Sequence, residues 1–467
     1  MNNRGESDII CAIATAPGMG GIAVIRISGK GCIHAVDKIF RACDGKKLAE
    51  LPPNYLKYGF IYEDNVPIDE VMTAVFHAPH SFTGEETVEI QCHGSVYIQQ
   101  RILQLLLKLP IRLAGPGEFT QRAFLNGRID LAQAEAVADL IASSSATAHK
   151  IAFNQLKGGI SKELLALREQ LLQLSSLLEL ELDFAEEDVE FADRKALKDL
   201  ASRIIDKLGR LCDSFATGNA VKNGIPVVLA GATNVGKSTL LNGLLKEERA
   251  IVSEIAGTTR DTVEETLVLK GIKFRLIDTA GIRTTKDDIE KQGIARTFSK
   301  ITMADIVLLL ADINGEPEDI RNEYTRIKNH LSPSARFSII LNKSDKTDNI
   351  PAAVEKYRRA FPGEDLIPIS AKKDINTDAL IERLTGLIDT DSLDANTPVV
   401  SNVRHYEALS KARNAMLSLL SSMESGISSE FLAQDIRECN AYLGEVTGQI
   451  TSDQILSNIF RNFCIGK

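Results

Sequence analysis

The sequence lacks the features by which membrane proteins, secreted proteins and charge-driven nucleic-acid-coating proteins are recognised. It has no apolar run near the roughly 18 residues that a bilayer-spanning helix needs, and its polar first residues lack the apolar core of a signal peptide. Its seven cysteines are scattered without a C-x-x-C pair, which argues against a disulfide framework or a structural zinc site. A net charge of −9 excludes coating of nucleic acid by charge alone. We therefore expect a cytoplasmic protein without membrane contact.

Changes in residue pattern divide the chain into domains, and its 467 residues exceed what one core supports. Up to about residue 120, short runs rich in β-branched residues alternate with turn signals, and one helical stretch precedes Pro110. These segments are Ile22–Ile27, Val71–Phe76, Thr87–Gln91 and the helical Ser95–Lys108. From residue 121, leucine and alanine recur with helical spacing. The helical stretches are Leu131–Ser145, Ile160–Leu182 and Arg194–Phe215.

At residue 223 the pattern changes to strands that alternate with helices, which predicts a parallel or mostly parallel doubly wound sheet. The segments are Val227–Ala230, Ser238–Leu245, Lys273–Ile277, Ile306–Leu310, Ser338–Leu341 and Leu366–Ile369. After a polar connector, His405–Ser422 and Ser429–Val446 are helical again. We predict a multidomain α/β plus all-α protein. Its domains are an α/β domain over residues 1–120, a helical domain over 121–222 and 390–467, and an α/β domain over 223–389 inserted into the helical one.

The segment Gly231–Ser238 matches the phosphate-binding pattern G-x-x-x-x-G-K-[ST], directly after an apolar strand and before a helix. Its glycines let backbone N–H groups wrap phosphates, Lys237 can reach the β- and γ-oxygens, and Ser238 can ligate Mg²⁺. The alternative is a glycine-rich connector, which the strand–loop–helix context disfavours. The pattern predicts a nucleotide site.

Further elements follow in the order that a guanine-nucleotide site requires. Thr258 and Thr259 lie in a polar loop that can complete the Mg²⁺ and γ-phosphate shell. The stretch Asp278–Gly281 ends an apolar strand, where the aspartate can hold the metal through water. The stretch Asn342–Asp345 supplies a carboxylate that matches the paired N–H donors of guanine, and Ser370–Lys372 fits a loop over the guanine O6. All these loops follow strands at the edge where open α/β sheets bind ligands.

The residue that positions the attacking water in many small GTPases is missing. A glutamine often follows the D-x-x-G motif, but this chain has Ile282 there. Glu290 can orient water instead; the alternative is a charge at a helix N-terminus. Arg283 resembles an arginine finger, but a solvated loop residue is the simpler interpretation.

Motifs spread along almost the whole chain resemble those of the bacterial and organellar tRNA modification GTPases called MnmE or TrmE. They are Ala16–Gly18, Gly20–Gly29, Ser81–Gly84, Glu89–Gly94, Pro116–Asn126, Asp130–Glu135 and Phe463–Lys467. The resemblance implies a folate-binding, dimer-forming N-terminal α/β domain, a helical domain and an inserted G domain. It also implies GTP and Mg²⁺, a reduced one-carbon tetrahydrofolate, and a K⁺ ion that neutralises developing phosphate charge.

The same resemblance implies the roles of individual residues. Glu290 orients the water and is the catalytic residue, which favours that role over a helix-end charge. Magnesium is expected at Ser238 and Thr259, and potassium at Asn234, Ser253, Ile255 and Thr258. The folate contacts match Arg26, Glu89, Arg128 and Lys467. The full nucleotide set is Asn234, Val235, Gly236, Lys237, Ser238, Thr239, Ser253, Glu254, Ile255, Ala256, Gly257, Thr258, Thr259, Asp278, Thr279, Ala280, Gly281, Asn342, Lys343, Asp345, Ser370, Ala371 and Lys372.

Two side chains have open interpretations. Cys464 occupies the fourth position from the end, but Cys-Ile-Gly-Lys ends in lysine without a polybasic signal, so prenylation is rejected. By resemblance Cys464 lies near the folate and is a possible catalytic thiol; the alternative is a packed thiol. His93 is a possible base, although a structural histidine beside Gly94 is the simpler interpretation.

The expected function is that of an enzyme. By resemblance, a homodimer hydrolyses GTP to drive the addition of a carboxymethylaminomethyl or aminomethyl group to C5 of the tRNA wobble uridine. A flavin-dependent tRNA modification subunit of the MnmG or GidA type is the expected partner. The alternative is a GTP-dependent switch in RNA or ribosome assembly, but such proteins usually carry a basic RNA-binding module and would leave the folate-type motifs without a role.

Overall fold

The computed structural model describes residues 8–183, 194–247, 264–278, 301–333, 335–386, 397–425, 429–461 and 463–467. These residues form two compact units. The first unit takes its residues from Met1–Ile141, Gln155–Ile205 and Ala408–Lys467, and the second from Ala142–Asn154 and Asp206–Glu407. Along the chain, the second unit is therefore inserted between parts of the first. The finer division at residues 120, 222 and 389 stays a prediction.

The N-terminal part of the first unit is built on a seven-stranded sheet. The strands are β1 (Ile9–Ile13), β2 (Ile22–Ser28), β3 (Phe40–Ala42), β4 (Tyr55–Glu63), β5 (Val66–Phe76), β6 (Thr87–His93) and β7 (Ile111–Leu113). Their order is β3-β4-β5-β6-β2-β1-β7, and only the β1–β7 pair is parallel. The three predicted β-rich runs lie in β2, β5 and β6.

Alternation along the central strands gives this sheet two different faces, because successive side chains of a strand point to opposite sides. The helices beside the sheet are α1 (Cys32–Val36), α2 (Val96–Leu107) and α3 (Glu118–Leu125). Ile25, Ile27 and Ile90 are fully buried in the core that includes α1 and α2. Arg26 and Glu89 pair across β2 and β6 on the opposite face. The sheet thus carries an apolar core on one side and polar groups on the other.

Long helices follow the N-terminal sheet, as the leucine and alanine spacing predicts. They are α4 (Leu131–Ala142), α5 (Ala146–Leu156), α6 (Gly159–Asp183) and α7 (Arg194–Asn223). In α6, Leu164, Leu167 and Leu171 are buried at the helical spacing of three and four residues. Helix α7 continues eight residues beyond the predicted end at Phe215, which joins it directly to the strand that follows.

The second unit contains a six-stranded sheet. Its strands are β8 (Ile225–Ala230), β9 (Glu264–Leu269), β10 (Ile272–Asp278), β11 (Ile306–Asp312), β12 (Arg336–Asn342) and β13 (Asp365–Pro368). Their order is β13-β12-β11-β8-β10-β9, and every neighbouring pair except β9–β10 is parallel. The antiparallel edge strand β9 has no counterpart in the sequence prediction.

Helices cover both faces of this sheet, which confirms the predicted doubly wound α/β fold. They are α8 (Lys237–Glu247), α9 (Glu318–His330), α10 (Ile350–Ala360) and α11 (Thr377–Thr385). Val227 and Leu229 face the core that contains residues of α8 and α11. Val228 and Ala230 face the core that contains residues of α9 and α10. Because β8 is buried on both faces, it is a continuous apolar run.

The last part of the chain is helical again, in α12 (Val403–Glu424), α13 (Ser429–Thr447) and α14 (Asp453–Phe460). Helix α13 packs along α6 within the first unit. Leu456 and Phe460 of α14 pack against Leu131 of α4. The final segment therefore returns to the part of the chain that follows the N-terminal sheet.

The two faces of the N-terminal sheet generate a stability prediction. We expect Ile90→Ala to lower the free energy of opening of this sheet by about 2–5 kcal/mol, because it removes a fully buried side chain and leaves a cavity. Ile22→Ala is the matched control, since Ile22 is 67% exposed on neighbouring β2. Hydrogen exchange of β2, β5 and β6 in the full chain measures both changes. Equal protection in the two variants would contradict this assignment of the core.

Candidate functional site

The second unit brings its predicted nucleotide motifs to one edge of the sheet. Strands β8, β10, β11, β12 and β13 are parallel, so their carboxyl ends lie on the same side. Asp278 pairs in register with Leu229, and Leu229 lies two residues before Gly231 in the chain. Asp312 pairs with Asn342 in the same way. The loops that follow these strands therefore meet at the ligand-binding edge of an open α/β sheet.

The loop between β8 and α8 needs its two glycines for steric reasons. Gly231 has φ +137, and a Cβ there would collide with the carbonyl oxygen of Leu310. Gly236 has φ +103, and a Cβ there would collide with Nδ2 of Asn342. Both residues occupy backbone conformations that side chains rarely adopt. The loop leads into the N-terminus of α8, where free N–H groups and the helix dipole favour an anion.

The polar side chains of this loop fit phosphate and cation binding. Lys237 Nζ donates to the carbonyl oxygens of Gly231 and Ala232, so its ammonium lies across the loop. Ser238, the second residue of α8, is exposed and offers a hydroxyl of the kind that Mg²⁺ accepts. Asn234 is exposed in the left-handed region at φ +65, with a side-chain oxygen available to a cation. Among the predicted potassium ligands, Asn234 alone lies within the described residues.

Asn342 connects the phosphate loop to the last motif. Its Nδ2 donates to the carbonyl oxygen of Val235 at 2.7 Å, and its Oδ1 accepts from the N–H of Ala371 at 3.0 Å. The side chain is buried, so the loss of either bond would leave a polar group without water. One amide thus holds Val235 and Ala371 at a defined separation.

Asp345 is prepared to accept hydrogen bonds. Ser370 Oγ donates to Asp345 Oδ1 at 2.5 Å, and this bond holds the pKa of the Asp345 carboxyl below its ordinary value. Ser370 is fully buried, and its N–H donates to the carbonyl of Ile375. An ionised, exposed carboxylate in this position suits the paired N–H donors of guanine. Lys343 lies beside it with φ +65, and its Nζ is 2.8 Å from Oδ2 of Asp312.

A groove of about 430 Å³ runs between the start of α8 and the loop after β13. Thr239, Ala371 and Lys372, which the sequence analysis assigned to the nucleotide, are among its lining residues. Asn242 and Thr377 also line it. The groove therefore extends from the base-recognition loop along α8.

Sequence reasoning missed one acidic residue at the phosphate loop. Glu323 of α9 accepts a hydrogen bond from the N–H of Gly231 at 2.9 Å. Burial raises the pKa of the Glu323 carboxyl, while the Gly231 N–H and the Lys237 charge lower it in part. Glu323 belongs to an amphipathic helix and to no nucleotide motif. No sequence signal distinguishes it from the neighbouring surface acids.

Several predicted site residues lie outside the described residues. They are Ser253, Glu254, Ile255, Ala256, Gly257, Thr258, Thr259, Thr279, Ala280, Gly281 and Glu290. Asp278 is described by its place at the end of β10. The assignments of these residues stay predictions.

The polar face of the N-terminal sheet contains two of the residues assigned to folate. Arg26 Nε donates to Glu89 Oε1 at 2.8 Å, and both side chains are largely buried, at 16% and 22% exposure. The Arg26 guanidinium lies 5.4 Å from the ring centre of Phe82 and 5.7 Å from that of Phe119. These distances allow cation–π attraction. An arginine–carboxylate pair beside aromatic rings suits a flat, polar heterocycle.

A buried ionic network lies in the same layer and was not predicted. Arg122 of α3 donates to Glu85 at 3.1 Å and to Asp8 at 2.7 Å. Glu85 also accepts from Ser28, which follows Arg26 by two residues and lies on the same face of β2. Burial raises the pKa of the Glu118 carboxyl, but hydrogen bonds from Arg112 more than offset it and the pKa is lowered overall. This network joins α3 to the loop before β6.

The last residues of the chain lie against this domain. The N–H of Gly117 donates to the carbonyl of Cys464 at 3.3 Å, and Ile465 forms an antiparallel bridge with Pro116. Gly466 packs against the backbone of Ile13 at the end of β1. Lys467 therefore ends beside β1 and the start of α3, in the same unit as Arg26 and Glu89.

Arg128 and Cys464 occupy different settings near this face. The Arg128 N–H donates to the carbonyl of Ala123 at the end of α3, and its side chain passes close to Gly84. Cys464 is exposed, whereas burial raises the pKa of the Cys92 thiol to about 11 and that of Cys439 to about 12. An accessible thiol is therefore found at Cys464, and the two buried ones stay protonated.

His93 is held by an acidic partner. Asp69 accepts a hydrogen bond from the His93 N–H at 2.8 Å, and its other carboxylate oxygen lies 2.7 Å from His93 Nδ1. The hydrogen bond to Asp69 raises the pKa of His93. Gly94 forms backbone hydrogen bonds with Gly20 and Gly21, which lie in the loop before β2. This arrangement supports the structural interpretation of His93.

The described residues contain neither a membrane-spanning helix nor a cluster of metal-binding side chains. None of their helices is both long and apolar enough to cross a membrane. Over the same ranges, no group of three or more His, Cys, Asp or Glu side chains is placed to hold a metal ion.

Comparisons with known proteins identify the family that the chain resembles. Residues 9–128 match the family described as the GTP-binding protein TrmE N-terminus, and residues 131–464 match the MnmE helical domain. The tRNA modification GTPase MnmE of Bacteroides fragilis is 50% identical over 99% of this chain and 100% of its own length. That of Christiangramia forsetii is 49% identical over 99% of each chain.

A crystal structure of an Aquifex aeolicus Era variant bound to GDP and AlF₄⁻ matches 41% of this chain and 66% of that chain. The identity is 26% and the TM-score is 0.30. The full-length relatives and the two family matches confirm the resemblance that the sequence motifs indicate. The chain belongs to the MnmE (TrmE) family of tRNA modification GTPases.

Proposed function

We propose that this protein hydrolyses GTP and uses the cycle to drive modification of tRNA at C5 of the wobble uridine. The observation that carries the GTPase assignment is the meeting of the phosphate loop, the Asp278 strand end and the Asn342–Asp345 motif at one sheet edge. Family membership supports the tRNA substrate. The group added is of the carboxymethylaminomethyl or aminomethyl type, and a flavin-dependent subunit is the partner.

In the GTP site, each group acts through position and charge. Backbone N–H groups of the loop after β8 and the ammonium of Lys237 bind the phosphates. The Ser238 hydroxyl, with Thr259, holds Mg²⁺, which neutralises phosphate charge when bound. Asp345 selects guanine, because its carboxylate accepts from both N–H donors of the base edge. Glu290 orients the attacking water in place of the missing glutamine.

Potassium belongs to this proposal because the family resemblance implies it and because the sequence has Ile282 where a water-orienting glutamine often follows the D-x-x-G motif. The exposed Asn234 side chain, within the phosphate loop, supports an ion at this position. Ser253, Ile255 and Thr258 complete the ligand set that we propose. A monovalent cation there supplies positive charge for the transition state.

The N-terminal domain is proposed to bind a reduced one-carbon tetrahydrofolate. The Arg26–Glu89 pair beside the exposed Phe82 ring offers stacking and hydrogen bonds to a pterin, whose N–H pattern resembles that of guanine. Lys467 and Arg128 can meet the carboxylates of the glutamate tail. The exposed Cys464 thiol is a candidate reactive group near the same ligand. We place the working protein in the cytoplasm as a homodimer.

The geometry of Asp345 predicts a change of base specificity. We expect Asp345→Asn to weaken GTP and GDP binding by at least about a hundredfold, because the amide can no longer accept both guanine donors. Xanthine nucleotides, which present an acceptor at C2, should bind the variant better than guanine nucleotides. Asp348→Asn, at an exposed aspartate nearby, should change neither affinity. Calorimetry on the unmodified protein and the two variants measures these affinities. Unchanged GDP affinity in Asp345→Asn would refute base selection by this residue.

Replacing the monovalent cation in the assay tests the potassium proposal. We expect kcat for GTP to fall at least about tenfold when K⁺ is replaced by Na⁺ at equal ionic strength, because transition-state charge is then less well neutralised. Asn234→Ala should make the rate equally low in both salts. A rate that is the same in the two salts for the unmodified protein would remove potassium from the mechanism.

The folate proposal is tested by charge removal in the N-terminal domain. We expect Glu89→Gln to weaken tetrahydrofolate binding while GTP hydrolysis stays normal. When this variant is expressed in a strain that lacks the unmodified protein, it should fail to restore wobble-uridine modification. Glu50→Gln, at an exposed glutamate of the same domain, is the control. Calorimetry and mass spectra of tRNA nucleosides give the two readings. Full modification by Glu89→Gln would contradict the folate role, and full modification without the protein would contradict the tRNA function.

A further inference from the structure

Glu323 places a carboxylate directly beneath the phosphate loop. It lies on α9, and its Oε1 accepts from the N–H of Gly231 at 2.9 Å. Gly231 and Lys237 are themselves joined, since the Lys237 ammonium donates to the Gly231 carbonyl. Lys237 and Arg326 are the charged groups that act on the carboxylate within the described residues. A negative charge is thus half-buried next to the group that binds phosphate.

This carboxylate has two opposite effects on a bound nucleotide. Its hydrogen bond holds the first residue of the loop in its unusual backbone conformation, which prepares the loop for phosphates. Its negative charge repels the negatively charged phosphates, because like charges close together destabilise each other. It also offsets part of the positive charge by which Lys237 attracts them. A neutral acceptor would give the first effect without the second.

The motifs that bind phosphate and select the base include no residue of α9. Asp345 and Ser370 form their hydrogen bond without Glu323. A charge that opposes the ligand therefore calls for a separate role. Weaker binding of the product shortens its lifetime on the enzyme, since most differences in affinity appear in the dissociation rate.

We propose that Glu323 is a positioning residue that orders the phosphate loop by its hydrogen bond and lowers nucleotide affinity by its charge. The charge speeds the release of GDP from the site. The inference concerns the GTP site alone and does not depend on the folate or potassium proposals.

Glu323→Gln separates charge from hydrogen bonding, because the amide keeps the shape and an oxygen that can accept from Gly231. We expect GTP and GDP to bind about three- to tenfold more tightly, the size expected for unit charges several ångströms apart in a partly solvated site. The gain should fall in the order GTP, GDP, GMP, following ligand charge. Stopped-flow release of N-methylanthraniloyl-GDP should slow by a similar factor. A merely structural role would not produce this ordering.

Glu318→Gln is the matched control, because it neutralises an exposed glutamate on the same helix, five residues from Glu323. It should leave all affinities unchanged. Equal or weaker GDP binding by Glu323→Gln, or the same gain for GMP as for GTP, would overturn the charge effect. Glu323→Ala removes the hydrogen bond as well and should bind GDP more weakly than Glu323→Gln. Identical affinities in these two variants would overturn the positioning effect.

Discussion

Parallel pairing around β8 is the constraint on which the nucleotide site depends. Because β8 pairs with both β10 and β11 in parallel, the phosphate loop emerges between two strand ends that carry Asp278 and Asp312. Residues on β8 are buried on both faces, so the strand is held between two apolar cores. The position of the loop is thus set by the packing of the whole sheet, and the motif residues inherit that position.

Contacts between loops refine this arrangement. The buried Asn342 amide ties Val235 to Ala371, and the Ser370 hydroxyl orients Asp345. The Asn342 and Ser370 side chains are buried, so each of these bonds replaces a hydrogen bond to water with one of defined direction. Glu323 of α9 accepts a further hydrogen bond, from the N–H of Gly231. Its negative charge repels the phosphates of the nucleotide. The balance between a well-ordered loop and a readily released product follows from this pairing of effects.

The N-terminal sheet uses its two faces for different purposes. One face buries isoleucines in an apolar core, and the other holds Arg26, Glu89 and the network around Arg122. Charged groups in such a layer cost desolvation unless they are paired, and here they are. The chain's last residues lie next to β1 and the start of α3, in the same unit.

The sequence by itself determined the family, the α/β and helical pattern and the guanine-nucleotide motifs, because fixed spacings and residue types express local requirements of backbone and ligand. It did not indicate β9, the Arg122 network or Glu323. These features depend on residues far apart in the chain, such as Glu323 and Gly231, that meet only after the sheet has formed. A glutamate on an amphipathic helix carries no local mark of its partner. Tertiary packing alone decided that Glu323 faces the phosphate loop while Glu318 and Asp319 of the same helix are exposed.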